Sequence, residues 1–439
     1  MKIHFVGIGG IGVSALARYY LAKGWLVSGS DLVRSELTDN LKKDGIKIFI
    51  DHASKNVPVD ANLVVHSAAV KSDNQELREA RFLKIPILSY PEALGELTKQ
   101  YITLAVAGSH GKSTTTALLS LMLIKAGLDP TVIIGTRLRE FGGRNFRFGR
   151  SRYLVIEADE WDSSFHYYWP TVAVITNIDK EHLDTFKNLA GVIEGFARYL
   201  KNIAPQGKII INAQDKNSLL ASGAGRAGTV FFNRKKLDSQ NFQWPLRVPG
   251  KFNQLNAEAA WQAARCLGVS KKVARAAVKN YQGSWRRFEP LIPKNLRQCK
   301  TLIGAKFFSD YGHHPTEIKA VAAAAREKFP KRKIIVIFQP HQVQRLTYLF
   351  SEFIRCWSGF DLVGILPTYQ VAGREVKNGR TSTALVREIS QKQTAFYLPN
   401  FKTALNLIKR FKGRRPVVIF MGAGDIDGKV RRYFKSKLF

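Results

Sequence analysis

Ile102-Thr103-Leu104-Ala105-Val106-Ala107-Gly108-Ser109-His110-Gly111-Lys112-Ser113 decides how this chain folds. An apolar run of strand length leads into a glycine-bracketed turn, and a helix is expected from about Thr114. That is the geometry a phosphate cradle requires: backbone N–H groups and a helix N-terminus face the anion, Lys112 reaches the β- and γ-phosphates, and the Ser113 hydroxyl binds Mg²⁺. The loop is shorter than GxxxxGK[ST] if Gly108 is its first glycine.

Upstream, Gly7-Ile8-Gly9-Gly10-Ile11-Gly12 matches GxGxxG after the strand Ile3–Val6, and Asp31 ends a second strand, where a dinucleotide fold places its ribose acid. The motif reports only an anion seated on a helix N-terminus. With an ATP-type loop a hundred residues on, it points to another nucleotide diphosphate rather than to NAD. Downstream, Glu157-Ala158-Asp159-Glu160 follows the buried run Tyr153–Ile156, and Glu157 is the first choice to complete a Mg²⁺ site with Ser113. Thr176-Asn177-Ile178-Asp179-Lys180-Glu181-His182 follows the next buried run and brings His182 to the same sheet edge.

The 439 residues are too many for one core and favour about three domains. Strand and helix signals alternate throughout, giving three consecutive α/β domains: residues 1–100 Rossmann-like, 101–284 a central P-loop ATPase domain, and 285–439 Rossmann-like again. No apolar run approaches membrane-spanning length, and the start leads directly into a strand and loop, so an unexported cytoplasmic protein is expected. Cys266, Cys299 and Cys356 are odd in number and widely spaced, which excludes a disulfide framework and fits a reducing compartment. The 68 Lys and Arg against 34 Asp and Glu give a net charge of +34. That field suits anionic nucleotides; runs such as Lys331-Arg332-Lys333 are short and scattered, and no nucleic-acid motif accompanies them.

Taken in order, these segments resemble the Mur ligase family over essentially the whole chain. Gly108–Thr116 is similar to that family's ATP loop, Glu157–Phe165 to its acidic metal segment, Thr176–Phe186 to the segment whose histidine binds a second Mg²⁺, and Val248–Asn256 to its adenine-contacting segment. Gly7–Gly12 with Asp31, Trp285-Arg286-Arg287-Phe288-Glu289, Asp310-Tyr311-Gly312-His313-His314-Pro315-Thr316-Glu317, Phe338–Arg345 and Met421–Ile426 resemble the branch that adds alanine to UDP-N-acetylmuramate. Phe252 and Gln342 stand where the family pattern has histidine and arginine.

The resemblance implies an ATP- and Mg²⁺-dependent amide ligase of peptidoglycan precursor synthesis, with UDP-N-acetylmuramate, L-alanine and ATP as small-molecule partners and a monomer or weak homo-oligomer as its state. It implies ATP contacts from Gly108, Ser109, His110, Gly111, Lys112, Ser113, Thr114, Asn253, Asn256, Arg287 and Asp310, and metal ligation by Ser113, Glu157 and His182. It further implies substrate contacts from Gly9, Gly10, Ile11, Gly12, Asp31, His66, Ser67, Tyr311, His313 and Arg345, with Lys112, His313 and Arg345 catalytic. Separately, His313 and His314 before a proline could cap the helix starting near Thr316. A ligase for a preformed murein peptide, an oxidoreductase using GxGxxG, and a nucleic-acid-binding ATPase rank behind the alanine-adding reading.

Overall fold

The computed structural model describes residues 1–223, 228–232, 243–292, 304–370, 379–411 and 413–435; Cys299 lies outside them. Three sheets are present among the described residues, each mostly parallel. The first is built from β1 (Lys2–Val6), β2 (Leu26–Asp31), β3 (Lys47–Ile50), β4 (Leu63–His66) and β5 (Ile87–Ser89), in the order β3-β2-β1-β4-β5 with every pairing parallel. The order reverses between β1 and β4, so the loops after those two strands, Gly7–Gly12 and Ser67, flank the crevice in which open α/β sheets bind ligands.

The second sheet comprises β6 (Ile102–Ala107), β7 (Thr131–Leu138), β8 (Arg144–Arg147), β9 (Tyr153–Glu157), β10 (Val172–Ile175), β11 (Lys208–Asn212) and β12 (Thr229–Phe232). Its order is β12-β11-β10-β6-β9-β7-β8. β6 pairs in parallel with β10 on one side and β9 on the other, and only the β7–β8 hairpin is antiparallel. The loops after β9 and β10 therefore emerge beside the loop after β6. Both faces of the central strands are covered, which explains the unbroken apolar runs: Leu104, Ala105, Val106 and Ala107 have no exposed surface.

β13 (Glu289–Leu291), β14 (Lys306–Asp310), β15 (Ile334–Phe338), β16 (Leu362–Ile365), β17 (Ala395–Tyr397) and β18 (Val417–Met421) make the third sheet, ordered β13-β14-β18-β15-β16-β17. β13 is antiparallel and the rest parallel. The loops after β14, β18 and β15 leave neighbouring strands at one edge.

The chain divides into two compact units, Met1–Pro245 with Leu255–Asn280, and Leu246–Gln254 with Tyr281–Phe439. The first holds two sheets with one continuous core, in which Leu16 and Phe5 cluster with Ile133, Phe165 and Phe196. Asn145 on β8 joins them further, donating to the Ile11 carbonyl and to Ser14 Oγ and accepting from Arg18. Cys266 and Cys356 are free, and no helix among the described residues is long and apolar enough to cross a membrane.

Candidate active site

The loop after β6 is fixed by its backbone. Gly108 sits at φ +127° and Gly111 at φ +85°, where a side chain is strained, and a Cβ on Gly111 would stand 2.5 Å from Asn256 Oδ1. The segment after β10 buckles the loop from beneath: Ser109 N donates to the Asn177 carbonyl at 2.9 Å, His110 N to Asn177 Oδ1 at 3.0 Å, and Thr176 Oγ1 to the His110 carbonyl at 2.6 Å. His110 Nε2 lies 3.1 Å from Asp179 Oδ2. The helix Lys112–Lys125 starts at Gly111 with no side-chain cap, so its first N–H groups and its dipole are directed at the loop. Thr114 is buried in its first turn.

Lys112 Nζ donates to the Gly108 carbonyl at 2.8 Å and to both oxygens of Glu160, at 3.0 and 2.7 Å. Burial alone would lower this ammonium, but the charges of Glu160 and Asp159 outweigh it and hold Lys112 above the ordinary lysine range. Ser113 Oγ donates to Glu157 Oε1 at 2.9 Å, and Gly135 N to Glu157 Oε2 at 2.9 Å. Burial raises the Glu157 carboxyl against the pull of Lys112 and these two donors. His182 Nε2 is 3.8 Å from Glu160 Oε1, and ligand atoms of Asp159, Glu160 and His182 all lie within 4.8 Å of one another. His182, Asp162 and Ser163 adopt left-handed backbone at φ 51°, 52° and 56°, strain that recurs at ligand-holding turns. Carboxylate and hydroxyl oxygens with one imidazole form a donor set that fits a hard divalent cation.

At the first sheet, Asp31 Oδ2 accepts from Gly9 N at 2.8 Å and so orders the glycine loop. The helix Ile11–Ala22 begins at Gly10 without a side-chain cap. Ser67 N donates to the Val6 carbonyl, and His66 Nδ1 sits 3.0 Å from the Ser67 carbonyl. Gly10, Ile11, Gly12 and Ser67 line a cavity of about 240 Å³ whose far wall carries Glu157 and Asp159. The β1 and β9 loops, far apart in sequence, thus open into one space. Tyr90 and Tyr168 also line it. Burial, with the charges of Asp159 and Glu157, keeps the Tyr90 phenol protonated at any physiological pH.

In the second unit, Asp310 is buried, its oxygens accepting from Phe288 N and Gly312 N, each at 2.7 Å. Burial raises its carboxyl from 3.8 to about 6 despite the nearby Arg287. The Tyr311 ring carries Arg286 at 4.8 Å and Arg287 at 5.1 Å over its centroid, and Arg287 Nη1 reaches Glu317 Oε1 at 3.6 Å. His313 Nδ1 lies 3.1 Å from the Tyr311 carbonyl and 3.5 Å from Glu317 Oε2. Its ring stands 5.9 Å from that of His341, which stacks on Tyr369 at 5.7 Å. Arg345 Nη1 approaches His341 Nδ1 at 3.4 Å. His313, Arg345 and Tyr369 are thereby gathered around His341, with the Tyr311 ring 5.2 Å from that of His313. His314 caps the helix Pro315–Lys328, its Nδ1 accepting from Thr316 N at 3.2 Å. Asn253 Nδ2 donates to the Pro249 carbonyl at 2.6 Å.

Three family models match in succession: "Mur ligase family, catalytic domain" over residues 2–102, "Mur ligase middle domain" over 106–237, and "Mur ligase, glutamate ligase domain" over 296–424. The chain belongs to the Mur ligase family. Among Mur ligases it is similar to the UDP-N-acetylmuramate–L-alanine ligases of Aquifex aeolicus (36% identical, covering 99% of this chain and 97% of the relative) and Acetivibrio thermocellus (36%, 99% and 96%). A UDP-N-acetylmuramate–alanine ligase from Thermotoga maritima superposes with a TM-score of 0.80 at 29% identity, covering 99% and 98% of the two chains. A murein peptide ligase from Psychrobacter arcticus shares the fold, with a TM-score of 0.69 at 23% identity over 98% of each chain.

Sequence reasoning passed over several residues of this Mur ligase that the fold brings to these places. Glu160 was one of three clustered acids, but its lysine contact depends on the turn after β9. Tyr90 arrives from the helix Tyr90–Thr98, with no motif around it. His341 stood inside a quoted motif, and its stacking on Tyr369 was not legible there.

Proposed function

We propose that this chain joins L-alanine to the lactyl carboxylate of UDP-N-acetylmuramate in an ATP-driven ligation. The observation that carries this is the shared cavity: the glycine loop after β1 opens onto the carboxylates beside the phosphate loop. A UDP-sugar held at Gly9–Gly12, Asp31, His66 and Ser67 directs its acid toward the phosphoryl-transfer residues. The relatives at 36% identity that are named for alanine favour it as acceptor over a preformed peptide.

A carboxylate is a poor electrophile, so it must be activated. One carboxylate oxygen attacks the γ-phosphorus of ATP and ADP leaves; the amine of alanine then attacks the acyl phosphate carbon, and phosphate departs with that oxygen. The protein's part is positioning and charge stabilisation. Lys112, the Gly108–Thr114 amides and the open helix start hold the phosphates, with Asn253, Asn256, Arg287 and Asp310 assigned to the nucleotide. Ser113, Glu157 and His182 would hold Mg²⁺, which supplies charge neutralisation at the phosphoryl oxygens when bound. Arg345 is assigned to the alanine carboxylate, and His313, held by Glu317, to orienting its amine. A cytoplasmic location belongs to this reading, because ATP and UDP-linked sugars are metabolites of that compartment.

Lactyl carboxylate labelled with ¹⁸O tests the route. One label appearing in the released phosphate supports it; unlabelled phosphate overturns it.

A further inference from the structure

A second cavity, of about 620 Å³, lies on the other side of the helix Ile11–Ala22, between the end of the helix Glu36–Lys43 and the β7–β8 hairpin. It shares no lining residue with the substrate cavity. Its volume is that of a small-molecule site. Arg18, Lys43, Arg144 and Arg147 line it with the carboxylates Asp44 and Glu140; Arg147 is itself paired with Asp129 at 2.5 Å, so the excess of positive charge comes from Lys43 and from Arg18 and Arg144. One acid serves two guanidinium groups: Asp44 Oδ2 is 2.7 Å from Arg18 Nε, and Asp44 Oδ1 is 2.7 Å from Arg144 Nη2. The Arg18 side chain is only 5% exposed, so this charge is fixed in the floor rather than drifting in solvent. Phe141, Phe146 and Phe148 supply apolar walls, and Phe148 stays 37% exposed with Lys23 Nζ 5.6 Å from its ring centroid.

Aromatic faces beside an excess of fixed positive charge match a flat ring that carries an anionic group: the ring stacks, and the anion takes the guanidinium donors. We propose that this cavity binds an aromatic phosphate or carboxylate at a site separate from the substrates. It is placed to be felt by the substrate loop. Arg18 Nη1 donates to Asn145 Oδ1 at 2.7 Å, and Asn145 in turn holds the Ile11 carbonyl at 2.5 Å and Ser14 Oγ at 3.0 Å. The floor of one cavity is thus tied through one side chain to the first helical turn at the wall of the other. Binding here does not depend on the reaction assigned above.

The test is calorimetric titration of 1-naphthyl phosphate into the full chain holding saturating ADP. One saturable site per chain is expected, weakened about tenfold or more in Lys43→Glu/Arg144→Glu and in Phe148→Ala, and unchanged in Lys112→Ala. The three altered side chains are at least partly exposed, so these variants keep the fold. 1-Naphthol and inorganic phosphate, each lacking half of the recognised group, are expected to bind far more weakly. No saturable heat, affinity retained in both cavity variants, or affinity lost in Lys112→Ala overturns the proposal. Inorganic phosphate binding as tightly as the naphthyl ester overturns it too, by reducing the cavity to a plain anion site.

Discussion

Replacing Lys112 by Met separates the two roles that its contacts imply. The ammonium lies within 3.0 Å of both oxygens of Glu160, whose side chain has no exposed surface, and only 13% of the lysine side chain is exposed. Removing it strands a buried carboxylate, a change that costs about 3–5 kcal/mol. For a unit of this size the thermal midpoint is expected to fall on the order of 10 °C. Turnover is expected to fall at least about a hundredfold, because a charge-stabilising group at the transferred phosphoryl is lost. Adding Glu160→Gln to Lys112→Met removes the stranded charge and should restore most of the midpoint while leaving turnover low. Thermal unfolding and phosphate release on wild type, Lys112→Met, Glu160→Gln and the double variant measure both effects. If the double variant recovers activity together with stability, Lys112 is structural and the phosphoryl role fails.

Asp310 gives a pH prediction. Its folded carboxyl is raised from 3.8 to about 6, so the folded state binds the proton more tightly and the penalty is complete above about pH 6 and relieved as pH falls toward 4. Wild type should therefore gain up to about 3 kcal/mol relative to Asp310→Asn between pH 7 and pH 4 in urea unfolding; parallel profiles contradict this. Glu157→Gln and His182→Ala should each raise the Mg²⁺ concentration for half-maximal rate by roughly tenfold, and unchanged titrations in both would mean other ligands. Gln342, whose N–H donates to the Tyr369 carbonyl at 2.9 Å beside His341, neighbours the Arg345 cluster. Gln342→Arg should lower KM for alanine about tenfold or more and leave KM for ATP unchanged; an effect on ATP alone would displace the acceptor site.

The fold was legible at most of the buried parallel strands, where burial on both faces forces continuous apolar runs, although β7 and β14 were not read. Ile334–Phe338 and Val417–Met421 have the bounds read from the sequence, and the helix after the phosphate loop begins two residues earlier than expected, at Lys112. Edge elements were missed for a physical reason. β8 reads Arg-Asn-Phe-Arg and β13 contains Pro290, patterns tolerated only where one side of the ladder is unpaired. At the site, motif residues following strands fell beside one another because β9, β6 and β10 are adjacent. The lysine–Glu160 contact and the entry of Tyr90 depend on tertiary packing that no local pattern carries.

Phosphate release from ATP in the presence of UDP-N-acetylmuramate, with L-alanine, glycine, L-serine or a murein tripeptide as acceptor, tests the central claim most directly. The predicted result is release that requires both the UDP-sugar and the amino acid, is fastest with L-alanine, and yields a nucleotide heavier by one alanyl residue. Release driven by the tripeptide but not by alanine, or indifferent to the UDP-sugar, would contradict it.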